Sequence, residues 1–350
     1  MWRKIKLGVA ACLCLTLLLA VAGYAYVHSL DLDSQPVANP HSRPTDLAFV
    51  RDAERVHRGK VLAVVTSTEW IGNTGKRAGF ELTELARAYY VFVANGYEVD
   101  IASPHGGKAP MQLDDGLVAA DYAFLNDPEA QRKLGHTLSV ANIDPAQYAA
   151  VYFVGGKGTM FDFPDDPDIQ RIARVVYQTG GVIGAVCHGP AAMLNVTLDD
   201  GARLLAGRRV TGFTNAEELF LLKNARELFP YLLQDAMAQG DAKFVEGPLY
   251  LDNTVVDGRL VTGQNPWSTW SVAEAMVQVM GHVPVARERT SEEIGVQLLD
   301  IYYRQGAAAA SQAKKRLPQA DNRLILMHAL VAGMQGRVGD AYRMHNLARQ

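Results

Sequence analysis

Between residues 60 and 280 the chain alternates between two hydrophobic patterns. Residues 60–67, Lys60-Val61-Leu62-Ala63-Val64-Val65-Thr66-Ser67, are β-branched and apolar without alternation, as in a strand buried on both faces. Residues 79–95 read as a helix closed by Gly96 as its C-cap. Further strand patterns stand at 98–104, within 145–156, at 182–186, 208–213 and 259–263. Helical patterns fall at 168–179, 191–195, 230–239 and 269–280, with Pro230 suited to a first helical position. Strands alternating with helices predict an α/β fold whose mostly parallel sheet is covered on both faces. Such sheets bind ligands beyond the carboxyl ends of their strands, where Gly155-Gly156, Cys187 and the Gly212 turn fall.

The alternation ends near Pro284, and residues 287–350 carry helical patterns only. Leu298, Leu299, Tyr302 and Tyr303, then Leu324 to Met327, Leu330 and Val331, fit the apolar faces of two or three helices. Gly336, Ala341 and Ala348, spaced as they are after Leu324, faintly resemble tetratricopeptide helix pairs. Two readings stay open: a helical cap on the core, or a partner-binding module.

At the other end, residues 7–27 carry no charge, enough to span ~30 Å as a helix. Arg3, Lys4 and Lys6 precede them and Asp31 and Asp33 follow, so the positive-inside rule places the rest of the chain outside the cytoplasm. Ala20-Val21-Ala22 also resembles a signal cleavage site, so anchor and cleaved signal are both open. The expected organisation is a membrane anchor or signal at 1–29, a Pro- and Ser-containing linker at 30–58, an α/β domain at 59–284 and a helical extension at 285–350. The expected location is the bacterial inner membrane or periplasm, or the exterior if the signal is removed.

Composition narrows the function. The 350 residues include 34 Lys+Arg and 37 Asp+Glu, for a net charge of −3. No basic stripe is present, so nucleic acid is not an expected partner. The three cysteines are Cys12, Cys14 and Cys187, and the first two lie in the apolar N-terminal run. A lone thiol in the globular part excludes a disulfide framework and a multi-cysteine zinc site.

Cys187 stands between a buried-type strand and a predicted helix, with Gly184 before it and Gly189 after it. This is the layout of a nucleophile elbow, in which small neighbours allow a sharp turn and the next backbone N–H faces an oxyanion. A thiol at a helix N-terminus is expected to have a lowered pKa. The plain alternative is an inert buried cysteine. His188 serves as its base only if the turn brings two adjacent side chains into one cleft.

Five motifs carry a resemblance. They are Thr74-Gly75-Lys76-Arg77-Ala78-Gly79-Phe80-Glu81-Leu82-Thr83-Glu84-Leu85, Ala102-Ser103-Pro104-His105-Gly106-Gly107, Ala185-Val186-Cys187-His188-Gly189-Pro190-Ala191, Val210-Thr211-Gly212-Phe213-Thr214-Asn215-Ala216-Glu217-Glu218 and Val261-Thr262-Gly263-Gln264-Asn265-Pro266. In this order they resemble the PfpI (class I glutamine amidotransferase-like, Parkinsonism-associated deglycase-like) superfamily, and within it the heat-shock chaperone branch that includes glutathione-independent glyoxalase III. The likeness spans about residues 59–282. It implies a flavodoxin-like three-layer sandwich with a cysteine elbow, here followed by a small all-helical segment.

The resemblance also implies roles. Cys187 is the nucleophile, His188 its partner, Glu84 the acid touching the thiol and Glu218 the carboxylate that orients the histidine. Glu81 competes with Glu84. Glu217 competes with Glu218, and its side chain is expected to point away, so that Glu217→Gln changes little. Gly155 and Gly156 resemble the loop that completes the oxyanion hole, with Lys157 and Gly189 beside it. Lys157 departs from the histidine common in relatives and puts the substrate in question. The implied activity is a lyase (hydro-lyase) acting on a small aldehyde, methylglyoxal to lactate, without metal or organic cofactor. The other readings are a holdase chaperone for misfolded clients, a peptidase or amidase, and a redox sensor. A homodimer is compatible with the resemblance.

Overall fold

The structure is a computed structural model that describes residues 35–350 apart from 55, 114 and 115, with scattered positions before 35. It divides into two compact units, one formed by Ala38–Glu288 and the other by Met1–Val37 together with Arg289–Gln350.

The first unit is built on a seven-stranded sheet. Its strands are β1 (Lys60–Val64), β2 (Glu98–Ser103), β3 (Leu138–Ser139), β4 (Tyr148–Phe153), β5 (Val182–Val186), β6 (Thr254–Asp257) and β7 (Leu260–Gly263). Their spatial order is β6-β7-β5-β4-β1-β2-β3. Only the β6–β7 pair is antiparallel. The central strands are buried as their unalternating sequences require: all five residues of β5 and four of the five in β1 are buried. Among the helices of this unit are α1 (Leu82–Ala94), α2 (Pro167–Gln178), α3 (Asn215–Leu221) and α4 (Thr269–Val279). The result is the mostly parallel, flavodoxin-like architecture expected, with the carboxyl ends of β1, β4, β5 and β7 gathered on one rim.

Three local expectations change. The 208–213 segment contributes only Arg209–Val210, which pairs with Lys243–Phe244 outside the main sheet. The 230–239 helix begins at Leu233, leaving Pro230 in the preceding turn. The 191–195 helix is a 3-10 turn over Gly189–Met193.

One ion pair fixes α1, which carries Glu84. The Arg87 guanidinium lies 3.1 Å from Asp121 on the short helix Ala119–Leu125, and the two side chains are 1% and 0% exposed. Removing one partner of a buried pair strands the other charge. Arg87→Ala is therefore expected to lower the free energy of unfolding by about 3–5 kcal/mol, read from the denaturant midpoint. Activity should fall as well, because Glu84 sits one turn away on the same helix.

In the second unit the extension forms four helices, α5 (Ser291–Gln305), α6 (Ala307–Lys314), α7 (Asn322–Met334) and α8 (Val338–Ala348). Leu298, Leu299, Ile325, Ala332 and Met344 are fully buried and make its core. Thr290 and Glu293 close a capping box at the start of α5, and the Tyr302 hydroxyl reaches Asp340 of α8 at 2.8 Å.

The membrane-spanning segment expected over 7–27 lies mostly outside the described residues. Among the described residues no helix is long and apolar enough to cross a membrane. The placement of a membrane-anchored domain outside the cytoplasm therefore has no support in the described structure and is withdrawn.

Candidate active site

The elbow is a consequence of small residues at fixed points. At Gly184 in β5, a methyl would land on the Met276 thioether of α4, so only glycine lets that helix close on the strand. At Gly189 a side chain would strike the Phe153 carbonyl at the end of β4. Between them the chain reverses at Cys187, which adopts φ 58°, a left-handed conformation that is rare for a residue with a side chain. The turn is held from both sides. Cys187 N–H donates to the Gly263 carbonyl at 2.9 Å, and Phe213 N–H donates to the Cys187 carbonyl at 2.8 Å. Strain of ~1–3 kcal/mol persists only where surrounding structure over-determines it, as these bonds do.

That backbone brings two consecutive side chains together. Cys187 Sγ lies 3.3 Å from His188 Nδ1, and His188 Nε2 lies 2.6 Å from Glu218 Oε2. All three residues are buried. An ionised carboxylate only accepts hydrogen bonds, so Nε2 carries the ring proton and the Nδ1 lone pair faces the thiol. The ring is also held by Phe213, whose centroid lies 4.6 Å away, and by Phe229 at 6.4 Å. Sequence reasoning did not assign these aromatics a role, although Phe213 follows Gly212 inside a quoted motif.

Glu84 approaches from α1. Its Oε2 accepts the Gly155 N–H at 2.7 Å, and its charge acts on the thiol and raises the thiol pKa. A side chain at Gly155 would meet Glu84 Oε2 at 2.5 Å, the Val186 carbonyl at 2.6 Å and Cys187 Cβ at 2.8 Å. Glycine here is what lets the loop lie between acid and thiol. The competitor Glu81 sits at the N-cap of α1, with the Thr83 hydroxyl 3.5 Å from it. The Gly155 N–H, expected at the oxyanion hole, is occupied by Glu84 in this structure. Gly156 has φ 106°, and its N–H has no partner among the described residues. Lys157 follows on the same loop and is half-buried.

The expected lowering of the Cys187 pKa is reversed. Burial is the largest cause, followed by the Glu84 charge and hydrogen bond and then by Glu217 and Glu218; together they push the thiol well above its ordinary value. The short 3-10 turn after Cys187 supplies too little aligned dipole to oppose them. Alkylation of Cys187 in the resting protein should therefore titrate above ~8.5, the free-cysteine value. The check is the rate of iodoacetamide modification against pH, and a midpoint below ~7 would contradict this environment.

Glu217 is fully buried, and its carboxylate accepts bonds from Thr214, Tyr250, Gln264 and Asn265. His188 is not among its hydrogen-bond partners, and the carboxylate is held by hydrogen bonds rather than by solvent. Its donors lie up to 48 residues away in the chain, so no local pattern announces them.

The DJ-1/PfpI family pattern matches residues 76–279. Glyoxalase 3 of Candida albicans is 36% identical over 236 residues, covering 62% of this chain and 97% of that protein. Glutathione-independent glyoxalase HSP31 of Saccharomyces cerevisiae is 31% identical over 63% of this chain and 98% of its own length. Among solved structures, glyoxalase III of C. albicans superposes with a TM-score of 0.57 at 32% identity, over 64% of this chain and 98% of that one. Rapid Encystment Protein 24 kDa of Francisella tularensis gives 0.60 at 31% identity, over 64% of this chain and all of its own. With an elbow cysteine at the motif position and relatives matched over nearly their whole length, this chain belongs to the DJ-1/PfpI family, in its glyoxalase III branch.

Proposed function

We propose that the chain is a glutathione-independent glyoxalase that converts a small 2-oxoaldehyde, methylglyoxal in the simplest case, to the 2-hydroxy acid lactate. One observation carries the reading: the Cys187 thiol lies 3.3 Å from His188 Nδ1, with the Glu84 carboxylate close enough to raise its pKa. A thiol held protonated needs a base at the moment of attack, and His188 is placed to be it.

In the first step the thiol proton passes to His188 Nδ1 while sulfur bonds to the aldehyde carbon. Glu218 stabilises the imidazolium so formed. The developing alkoxide takes the backbone N–H groups of Gly156 and His188, neither of which has a partner among the described residues. Reprotonation gives a hemithioacetal. A base then removes the hydrogen from that carbon, and a proton is delivered to the neighbouring carbonyl carbon. Glu84 is fixed for this task by the Gly155 N–H. The product is a thioester of lactate on Cys187. Water adds to it, and lactate leaves as the thiol regains its proton. The net reaction adds one water to methylglyoxal, which is lyase chemistry run in the hydration direction.

The test incubates the purified full chain with methylglyoxal and no glutathione, measuring aldehyde loss and lactate gain together. Equal amounts with repeated turnover are expected. Aldehyde loss without lactate would mean simple adduct formation and would overturn the reading.

A further inference from the structure

Glu217 and Glu218 are adjacent and both buried, and among the described residues no cation pairs with the first. Glu217 Oε1 accepts Tyr250 N–H at 2.8 Å, Gln264 Nε2 at 3.0 Å and Asn265 Nδ2 at 2.9 Å. Its Oε2 accepts Thr214 N–H at 3.1 Å and the Thr214 hydroxyl at 3.0 Å. These five donors more than saturate the roughly four lone-pair sites of one carboxylate. They come from the N-cap of α3, from the segment containing Tyr250 and from the residues just after β7. Tyr250 itself holds φ 56°, and its hydroxyl returns to the Glu217 carbonyl at 3.1 Å. β7 also accepts the Cys187 N–H. The knot thus ties the helix that carries Glu218 to the strand that supports the elbow.

We propose that Glu217 is a positioning residue: its hydrogen-bond knot fixes the first turn of α3 so that Glu218 meets His188 at 2.6 Å. This rests on the Cys187–His188–Glu218 reading above. An amide cannot substitute. The Glu217→Gln side chain would turn an NH2 group toward either Thr214 N–H or the cluster of three donors, opposing N–H to N–H and loosening that side of the knot. Glu218 is then free to shift, and a hydrogen bond of this length does not survive a displacement of about 1 Å.

The experiment is a kinetic cycle on the full chain with methylglyoxal, using Glu217→Gln, Glu218→Gln and the double variant. Glu217→Gln should lower kcat about ten- to hundredfold with KM within about twofold. In the Glu218→Gln background the same change should cost nothing further, because Glu217 acts through Glu218. The proton shared by His188 and Glu218 gives a readout independent of the aldehyde: its far-downfield NMR signal should be lost or shifted in Glu217→Gln. Wild-type kcat, or a loss that multiplies with that of Glu218→Gln, would overturn the proposal and leave a purely structural carboxylate. If Glu217→Gln does not fold, Gln264→Glu keeps an oxygen for Gly247 and Asn253 while removing the Nε2 donor to Glu217, and it is judged by the same criteria. Full activity in Glu218→Gln with the downfield signal intact would sink the triad itself, which is distinguishable from failure of the positioning role.

Discussion

Cys187→Ala in the full chain reduces lactate formation by at least about 10³-fold and leaves the fold in place. The fold survives because the substitution keeps Cβ at a left-handed position already held by bonds from Gly263 and Phe213. Only the sulfur is lost, which costs roughly 1 kcal/mol of packing. Activity should be lost because, in the proposed mechanism, His188 and Glu84 only move protons, and among the described residues no other cysteine offers a free thiol to form the covalent intermediate. Cys187→Ser should be nearly as inactive, since the environment that raises a thiol pKa also disfavours an alkoxide. The check combines single-turnover and steady-state assays with circular dichroism. Residual turnover within about tenfold of wild type would mean that general acid–base chemistry alone processes the aldehyde.

The elbow was legible because it is local. Val182 to Val186 followed by Cys187-His188-Gly189 encodes strand, turn and close packing within eight residues, and the positive φ at Cys187 is what that crowding demands. Partners from distant motifs were legible only through the resemblance. What misled was electrostatics. A helix dipole was expected to lower the thiol pKa, but the following turn is 3-10, and the opposing charges include Glu84, more than 100 positions earlier in the chain. The hydrogen-bond knot of Glu217 escapes a local reading as well, since its donors arrive from separate segments. The missed strands are edge elements: β3 is two residues long, and β6 is half-exposed. Neither carries the apolar run that marks a central strand.

Glu218→Gln separates a working triad from a decorative one. The expected result is a retained fold with turnover reduced about 10²- to 10⁴-fold. Two orientations of the new amide are available, and each fails. With its oxygen toward His188 Nε2, the tautomer is kept, but the amide cannot stabilise an imidazolium, and its NH2 replaces Glu218 Oε1, a buried atom with no partner among the described residues. Burying an unsatisfied donor there costs about 1–3 kcal/mol. With the amide flipped, its NH2 faces Nε2, the ring proton moves to Nδ1, and the lone pair that should receive the thiol proton is gone. Groups that act as a unit give non-additive losses, so Glu218→Gln added to His188→Ala should lower the rate almost no further. The opposite pattern, full activity in Glu218→Gln with Glu84→Gln inactive, would remove the triad and leave Cys187 and Glu84 as the chemical pair. The 2.6 Å contact between buried imidazole and carboxylate argues against that outcome, because a change at Glu218 reaches the proton on Nε2 and, through the tautomer, the Nδ1 atom that faces the thiol.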